Sequence, residues 1–473
     1  MAVALRRFSV ALLAVLAFLL GCSRRLRNVE PWVWPGANQF NTLFFAQAGT
    51  RSVAGLRCAE EWDAEWFDVP AMEPTPAIAH TEHRPLVVDL DRDGRLEIVT
   101  SPLARSPAAI LNADGALLSG RTRGGIDWDL MQSDSTRIVA GDSAGWTLLP
   151  ESSRSGQGTS QLAVRLNQQL AVFQVVRGPR LRYPSHMLEC RDGSDGRLRW
   201  SYEFGARPDL MAVADLDSDG SEELLVTTYG DGKGVVVNGT RDRDSCYCVA
   251  LRADGTRLWQ RGFGKHSFIG CLAGVADLDR DGKPEVFIAV YSWQDDFGGL
   301  AVLNGATGKV IDESPGPDSS PVSCVSAGCA DIDGDGRPEL VAAVCGARAE
   351  VLLYRLEGQK LKLAARVELG EARDSNEVSK SRLHAICDLD GDGKCELVVS
   401  RYRKRMICRD PMFYPSTSDS CGLLVLGSDL QKRQEIPQPV RCQDVTLGDV
   451  IPGGNIELLV VTDRLRLYSL RAD

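Results

Sequence analysis

The sequence predicts an all-β fold, a seven-bladed β-propeller, from three observations. An acidic nine-residue motif recurs along the chain at intervals of roughly 60 residues, which is typical of a repeat architecture. Short apolar runs of strand length flank the copies, and dipeptides typical of tight turns follow most of them. The 473 residues include 46 glycines and 22 prolines, which supply the many turns that short strands require. Six or eight blades are the alternatives that the spacing leaves open.

The acidic motif has complete and degenerate copies. A degenerate copy, DVIPGGNIE, begins at Asp449, and a remnant without the inner acids begins at Asp129. The first two complete copies are about two periods apart, so we interpret the remnant as the unit between them, which makes seven units. The complete copies read DLDRDGRLE, DLDSDGSEE, DLDRDGKPE, DIDGDGRPE and DLDGDGKCE, and begin at Asp89, Asp215, Asp277, Asp331 and Asp388.

Each complete copy is predicted to form the tip of a β-hairpin. In the second copy, residues 211–214 form an apolar run before the loop and residues 224–226 form another after it. A second turn follows at dipeptides such as Asp254-Gly255 and Thr307-Gly308, whose glycines supply the positive φ angles of tight turns. Two hairpins make four strands, the content of a propeller blade. The last unit is short of a strand, so a strand from residues 40–69 is expected to complete it and close the ring.

The N-terminus predicts export. Arg6 and Arg7 precede an apolar run of about 13 residues, which is shorter than the roughly 20 needed to span a bilayer and is typical of a signal peptide. The residues Leu19-Leu20-Gly21-Cys22 resemble a bacterial lipobox, which implies acylation of Cys22 and a location on the periplasmic or cell-surface side of a membrane. A plain cleavable signal with a chance cysteine is the alternative. The predicted organisation is a signal peptide at 1–21, a lipid-anchored tether at 22–38 and a propeller at 39–473.

The 14 cysteines are many for a cytosolic chain and fit an oxidising compartment. Without Cys22 an odd number remains, so at least one would stay free or pair between chains. Candidates for pairing are Cys408 with Cys421 and Cys387 with Cys395, although the sequence leaves the connectivity open. A zinc site is not indicated, because paired Cys-x-x-Cys units are missing from the sequence.

The acidic loop is suited to bind a calcium ion. Aspartates occupy positions one, three and five, where alternate side chains of a tight loop converge; glycine at position six lets the loop fold back, and glutamate at position nine closes the set. The backbone carbonyl of position seven can add a further oxygen. This number of hard oxygen donors favours calcium over magnesium. The predicted ligands are Asp89, Asp91, Asp93, Arg95, Glu97; Asp215, Asp217, Asp219, Ser221, Glu223; Asp277, Asp279, Asp281, Lys283, Glu285; Asp331, Asp333, Asp335, Arg337, Glu339; and Asp388, Asp390, Asp392, Lys394, Glu396.

An EF-hand opens with the same letters but requires flanking helices and a bidentate glutamate at position twelve. Apolar runs of strand length flank these loops, so hairpins are favoured over EF-hands. The degenerate copies at Asp129 and Asp449 lack the acids at positions three and five and are predicted to bind no metal. Position twelve of the complete copies holds Thr100, Val226, Ile288, Ala342 and Val399.

The net charge of −10 is consistent with metal sites. Removal of Arg6 and Arg7 with the signal peptide gives about −12, and five Ca²⁺ would bring this to about −2. Extracellular calcium modules have dissociation constants of roughly 0.1–1 mM, so about 1 mM calcium would add on the order of 0.4–1.4 kcal/mol per site. A structural role is therefore favoured over a sensing role. An acidic chain without a basic stripe does not predict nucleic-acid binding.

The D-x-D-x-D-G-x-x-E loop between two apolar strands, repeated around a ring, resembles the FG-GAP/VCBS repeat family, which includes the propeller of integrin α subunits. The resemblance covers residues 85–470. It implies a seven-bladed propeller, calcium at the loops, and a role in adhesion or in binding proteins or glycans. Phe-Gly and Gly-Ala-Pro elements are poorly kept, so integrin-like ligand recognition is not implied.

Two classes of function remain after these observations. The first is a noncatalytic cell-surface scaffold, with residues 402–420 as a candidate contact segment or a solvated insertion. The second is a propeller enzyme, either a quinoprotein-type dehydrogenase or a polysaccharide lyase. Trp200 and Trp259 follow tight turns and resemble the tryptophan-docking markers of quinoprotein propellers, although packing also explains them. No histidine pair at helical ligand spacing and no nucleophile motif occurs in the sequence, so the scaffold is favoured.

Overall fold

A computed structural model describes the following parts of the chain: residues 56–65, 86–88, 97–100, 109–119, 139–142, 145–148, 161–167, 169–177, 185–192, 196–229, 236–241, 246–263, 269–292, 299–314, 323–345, 348–372, 377–405, 418–438, 442, 444–451, 456–462 and 464–472. Within these ranges the regular structure consists of β-strands alone, so they contain no helix that could cross a membrane. The N-terminal segment with Cys22, the remnant at Asp129 and Cys408 lie outside the described residues.

The strands of the first half of the chain are β1 (Leu56–Glu65), β2 (Leu86–Val88), β3 (Glu97–Thr100), β4 (Ala109–Leu111), β5 (Leu117–Ser119), β6 (Val139–Asp142), β7 (Gly145–Leu148), β8 (Gln161–Leu166), β9 (Gln169–Arg177), β10 (His186–Asp192), β11 (Leu198–Phe204), β12 (Arg207–Ala214), β13 (Glu223–Tyr229), β14 (Val236–Val237), β15 (Thr240–Arg241) and β16 (Cys246–Leu251).

The strands of the second half are β17 (Arg257–Phe263), β18 (Ile269–Ala276), β19 (Glu285–Ser292), β20 (Gly299–Asn304), β21 (Val310–Ser314), β22 (Ser323–Ala330), β23 (Glu339–Cys345), β24 (Arg348–Glu357), β25 (Lys360–Glu371), β26 (Glu377–Cys387), β27 (Glu396–Arg405), β28 (Ser418–Leu426), β29 (Lys432–Pro437), β30 (Asp444–Gly448), β31 (Glu457–Val461) and β32 (Arg464–Ala472).

These strands form four-stranded antiparallel units, which confirms the predicted all-β class. The units are β2-β3-β4-β5, β8-β9-β10-β11, β12-β13-β16-β17, β18-β19-β20-β21, β22-β23-β24-β25, β26-β27-β28-β29 and β30-β31-β32-β1. The third and fourth units are joined into one eight-stranded sheet through the pairing of Tyr229 with Gly270. Two further pairs, β6-β7 and β14-β15, stand apart from these units.

The last unit takes one strand from the beginning of the chain. Strands β30, β31 and β32 are consecutive, and β1 pairs antiparallel with β32 from Leu56↔Ala472 to Glu65↔Arg464. The strand therefore lies within residues 40–69, the segment from which it was expected. The Ser469 hydroxyl donates a hydrogen bond to the Glu61 carboxylate across this pairing.

Between the first two complete acidic motifs the structure describes one complete four-stranded unit, β8-β9-β10-β11. Its first hairpin joins β8 to β9 through a short turn at Asn167, whose φ is 50°. Asp129 precedes all four strands of this unit in the sequence and lies outside the described residues, so the prediction for the remnant at Asp129 stays a prediction. The turn carries no D-x-D-x-D signature, so the sequence pattern did not predict it.

The core lies between neighbouring sheets. All seven residues of β23 and all five of β31 are buried, because both faces of an inner strand pack against adjacent sheets. Buried clusters join the units in sequence order from β8-β11 to β30-β1. A further cluster packs Ile98 of β3 against Leu459 and Val461 of β31, so the first unit contacts the last.

Two tryptophans dock one sheet onto the next. Trp200 Nε1 donates to the Ala253 carbonyl at 2.8 Å, and Trp259 Nε1 donates to the Gly305 carbonyl at 2.6 Å. Each indole lies against the glycine of the neighbouring tight turn. A Cβ at Gly308 would come within 2.6 Å of the Trp259 ring, and the φ of this glycine is +63°. The predicted turn glycines thus serve close packing as well as backbone conformation.

Candidate metal sites at the hairpin tips

The structure describes four of the five complete acidic loops. Each joins the first and second strands of its unit, as predicted: β12 to β13, β18 to β19, β22 to β23, and β26 to β27. In the first copy, residues 89–96 lie outside the described part of the chain. Glu97 is described only as the first residue of β3.

The glycine at position six holds the position-one aspartate in place. In the loop that starts at Asp277, Gly282 N donates to Asp277 Oδ2 at 3.0 Å, and the other three loops repeat this bond at 2.8–3.0 Å. The φ of this glycine is between +84° and +89° in all four loops. A side chain is strongly disfavoured there by the backbone alone, which explains the glycine. The loop consequently folds back over its own first aspartate.

The glutamate at position nine closes the loop from within. Its Oε2 accepts a hydrogen bond from the backbone N–H of position two at 2.8–2.9 Å in all four loops. These glutamates are between 0% and 4% exposed. One carboxylate oxygen of the glutamate thus accepts from the backbone, and the other can act as a ligand atom beside the aspartates of the loop.

Three carboxylates converge in each loop, from positions one, three and nine. Their ligand atoms lie within 4.8 Å of one another. The aspartate at position five lies outside these groups, and its Oδ1 accepts the N–H of position seven at 2.7–2.8 Å. The predicted ligands at one, three and nine are therefore brought together, whereas position five braces the loop. The groups are Asp215, Asp217 and Glu223; Asp277, Asp279 and Glu285; Asp331, Asp333 and Glu339; and Asp388, Asp390 and Glu396.

The donor set fits a hard divalent cation. All converging atoms are carboxylate oxygens, the ligands that calcium prefers. Oδ1 of Asp217, Asp277 and Asp331 is shielded from solvent and accepts no hydrogen bond. A buried carboxylate oxygen without a donor is costly. A cation within the group would satisfy it.

Burial disfavours the charged form of the position-nine glutamates when no cation is present. Burial, reinforced by the neighbouring aspartates, raises the pKa of Glu223 and Glu285 to about 7 and that of Glu396 to about 8. Without a cation these carboxylates hold protons close to neutral pH. A divalent ion would displace the protons and restore the charged form.

The loop at Asp331 has a cation of its own. Arg355 Nη2 lies 2.7 Å from Asp333 Oδ2, 3.2 Å from Asp335 Oδ2 and 2.8 Å from Glu339 Oε1. Burial raises the pKa of Glu339, while the hydrogen bond from Arg355 acts in the opposite direction. Sequence reasoning did not find Arg355, because it lies on β24, outside the motif.

The degenerate loop at Asp449 separates the structural and ligand roles of the glutamate. Glu457 Oε2 still accepts the backbone N–H of Val450 at 2.8 Å, although position three is Ile451. Burial raises the pKa of Glu457 to about 8. The glutamate therefore closes the hairpin even where the other acids are missing from the sequence.

A buried polar network joins the last two units. His384 Nε2 lies 2.8 Å from Ser400 Oγ, and His384 Nδ1 lies 3.4 Å from Asp444 Oδ1. Arg382 Nη2 is 3.5 Å from the second oxygen of Asp444. A histidine between a serine and an aspartate is also the arrangement of contacts in a nucleophilic triad. Because Ser400 is only 1% exposed, we assign the network to packing between sheets.

The proposed pairing of Cys387 with Cys395 is wrong. Cys395 is a free thiol whose Sγ lies 3.7 Å from the Asp331 carbonyl. It packs in the cluster with Ile332, whereas Cys387 packs in the cluster with Val445. The two side chains thus point into opposite faces of their sheet.

Comparison with known families finds a match to part of the repeated region. Residues 277–342 and 331–399 match the FG-GAP-like repeat. This part of the chain is similar to FG-GAP-like repeats. It contains the complete loops at Asp277, Asp331 and Asp388, the residues on which the resemblance rested.

Two curated proteins are similar over part of their length. The chain is 28% identical over 240 residues to rhamnogalacturonan endolyase YesW of Bacillus subtilis (strain 168), which covers 42% of this chain and 38% of that protein. It is 29% identical over 167 residues to integrin alpha-IIb of Homo sapiens, which covers 31% of this chain and 15% of the integrin. The chain therefore spans well under half the length of either relative.

A solved structure is similar over most of the chain. The quinohemoprotein alcohol dehydrogenase from Comamonas testosteroni covers 94% of this chain and 82% of its own, with a TM-score of 0.50 and 11% identity. At this identity the likeness concerns the fold alone.

Proposed function

We propose that the chain is a calcium-stabilised β-propeller that acts as a noncatalytic scaffold for binding a protein or glycan outside the cytoplasm. The observation that carries this proposal is the convergence of three carboxylates at the same place in four successive units. A metal site repeated at hairpin tips stabilises a ring of sheets. It supplies no reacting group of its own.

The arrangement of the units supports a closed ring. Each four-stranded unit from β8 onward packs on its neighbour, and Ile98 of the first unit packs on the last. Strand β1 joins the C-terminal unit, a closure that removes free sheet edges. We favour seven blades, one for each four-stranded unit. The pair β6-β7 is then an insertion, and eight blades is the alternative in which it belongs to a further unit.

We assign calcium to the five complete loops, with carboxylates at positions one, three and nine as the inner ligands. Position five and the carbonyl of position seven complete the set in this proposal. In a calcium titration by calorimetry, wild type is expected to bind with dissociation constants of roughly 0.1–1 mM. Asp277→Asn should remove one bound ion, because it lowers the charge of the loop while keeping an acceptor for Gly282.

Export and lipid attachment rest on the N-terminal sequence. We propose that Cys22 is the acylated first residue of the mature protein and that the propeller faces away from the cytoplasm. Expression in a bacterial host with a labelled fatty acid tests this directly. Wild type should carry the label and sediment with membranes, whereas Cys22→Ser should carry none. A labelled Cys22→Ser variant would exclude this attachment.

The binding role is supported by what the described residues present. The side chains of His384, Ser400 and Asp444 are buried, and the buried glutamates at position nine hold their own loops closed. A glycan array and a cross-linked pull-down from native membranes, each with and without calcium, would identify the ligand. We expect retention on one class of ligand and no turnover of it.

The alternative function is a polysaccharide lyase. Partial similarity to a rhamnogalacturonan endolyase favours this alternative. Incubation with rhamnogalacturonan, followed by ultraviolet absorbance of unsaturated products, separates the two functions. Product formation that follows the purified protein through chromatography would replace the scaffold proposal with the lyase.

A further inference from the structure

The four described loops are chemically alike but have different surroundings. All share the three converging carboxylates and the backbone hydrogen bonds of positions one, five and nine. Only at Asp331, among the four, does an arginine or lysine nitrogen lie within salt-bridge distance of the loop acids. This difference bears on how much each loop needs a metal.

Arg355 stands where a bound cation would be coordinated. Its Nη2 contacts the acids of positions three, five and nine at 2.7, 3.2 and 2.8 Å, and its Nε donates to Glu339 Oε1 at 2.8 Å. One guanidinium thus contacts three carboxylates through charge-assisted hydrogen bonds and offsets part of their negative charge. Asp331 Oδ1 still lacks a hydrogen-bond donor, so a partial cation site remains.

The position of Arg355 follows from strand register. Leu340 pairs with Tyr354, so the next residue of β24, Arg355, comes level with Glu339 at the loop end of β23. In the preceding unit Asn304 pairs with Glu285 at the equivalent place. The amide of Asn304 has no charge and caps its own turn through Thr307.

We propose that Arg355 is a built-in counter-ion that makes the Asp331 loop the weakest calcium site of the chain. The inference rests on the proposed calcium binding of the other loops. A calcium ion must displace the guanidinium from three carboxylates before it can bind at Asp331. The loops at Asp215, Asp277 and Asp388 impose no such exchange.

The direct test is calcium titration, by calorimetry and equilibrium dialysis, of Arg355→Met. Methionine keeps an unbranched apolar stem and removes the charged guanidinium. We expect one additional tight ion per chain, or at least a tenfold increase in the affinity of one site, relative to wild type. Arg348→Met is the matched control on the same strand, because Arg348 contacts only Glu368 and Glu371 at 3.6 and 3.7 Å. It should leave the titration unchanged.

A second pair of variants keeps Arg355 in place, in case its replacement prevents folding. Asp277→Asn should remove one ion from the wild-type stoichiometry measured at about tenfold the dissociation constant of the tight sites. Asp331→Asn should remove none. Equal losses from these two variants, or an unchanged titration of a folded Arg355→Met, would overturn the role of Arg355. Failure of wild type itself to bind calcium would instead overturn the proposed function.

Discussion

The units that carry the Asp277 and Asp331 loops share their acidic motif and differ in the hairpin beside it. In the Asp277 unit, β20 ends at Asn304, across from Glu285, and the turn of residues 305–309 follows. In the Asp331 unit, β24 continues to Glu357, so Arg355 is still a strand residue when it reaches Glu339. The difference teaches that the neighbouring hairpin, as well as the loop sequence, determines which charged side chain faces the loop acids.

The same hairpins also change how the preceding sheet docks. The turn after β20 in the Asp277 unit offers the Gly305 carbonyl, and Trp259 donates to it. The longer hairpin of the Asp331 unit offers Leu361 N and Lys360 Nζ, and Asp312 accepts from both at 2.8 Å. Asp312 and Trp259 stand at equivalent places, each just beyond a bulge in the fourth strand of its unit. The two hairpins therefore differ in what they offer to the preceding sheet: one offers a carbonyl acceptor and the other offers two N–H donors.

The largest expected effect is a pH dependence of the metal-free protein. Glu223, Glu285 and Glu396 have raised pKa values of about 7, 7 and 8 in the folded chain, against 4.5 as the ordinary value. The folded state therefore holds protons that the unfolded chain has released, and the free energy of unfolding falls as pH rises from about 5 to 8. We expect a loss of at least about 1 kcal/mol per glutamate in urea titrations with a chelator.

Single variants connect this pH dependence to the comparison of the two loops. Glu285→Gln should remove more of it than Glu339→Gln, because Arg355 already favours the charged form of Glu339. Saturating calcium should flatten the curve of wild type. A flat curve in chelator would contradict the account of the buried glutamates.

The next effect concerns Arg355 in chelator. Arg355→Met leaves Glu339 and two aspartates without their cation, so the free energy of unfolding should fall by about 2–3 kcal/mol. Arg252→Met is the control, because this exposed arginine follows Leu251, the partner of Leu224, in the Asp215 unit. It should change stability by less than about 0.5 kcal/mol. The urea midpoints of the two variants, measured under the same conditions, compare these losses. Equal losses of stability would contradict the special role of Arg355 in the Asp331 unit.

The smallest effect compares the two turns. Gly308→Ala places a Cβ against Trp259, whereas a Cβ at Gly358, in the longer hairpin, meets nothing within 4 Å. Both glycines have positive φ, so both variants should cost about 1 kcal/mol from backbone strain. Gly308→Ala should cost about 1–3 kcal/mol more from overpacking. Thermal unfolding of the two variants measures the difference. Equal shifts in unfolding temperature would mean that the Trp259 side chain moves aside without loss of stability.

Local patterns in the sequence predicted much of the fold. The D-x-D-x-D-G-x-x-E spacing placed the hairpin tips correctly in the four described loops, because each loop closes through bonds within nine residues. The turn glycines and the shortage of one strand in the last unit were likewise local signals. Asn167 was missed because a short turn can replace the acidic loop without any motif.

Contacts between residues far apart in the sequence could not be predicted from local patterns, because they depend on strand register and on sheet packing. Arg355 lies 16 residues beyond Glu339 on another strand, and only the pairing of β23 with β24 brings the two together. His384 and Asp444 are 60 residues apart and meet only where two sheets pack. The exclusion of position five from the converging group is also geometric, since its side chain is turned to the backbone of position seven.

Thermal unfolding of the wild-type protein with and without calcium tests the central claim most directly. Metal removal by a chelator should be verified by atomic absorption before the measurement. We predict that about 1 mM calcium raises the unfolding temperature by about 5 °C or more, because several sites at the hairpin tips each add to the stability of the folded chain. An unfolding temperature that is the same in calcium and in verified metal-free buffer would contradict the account.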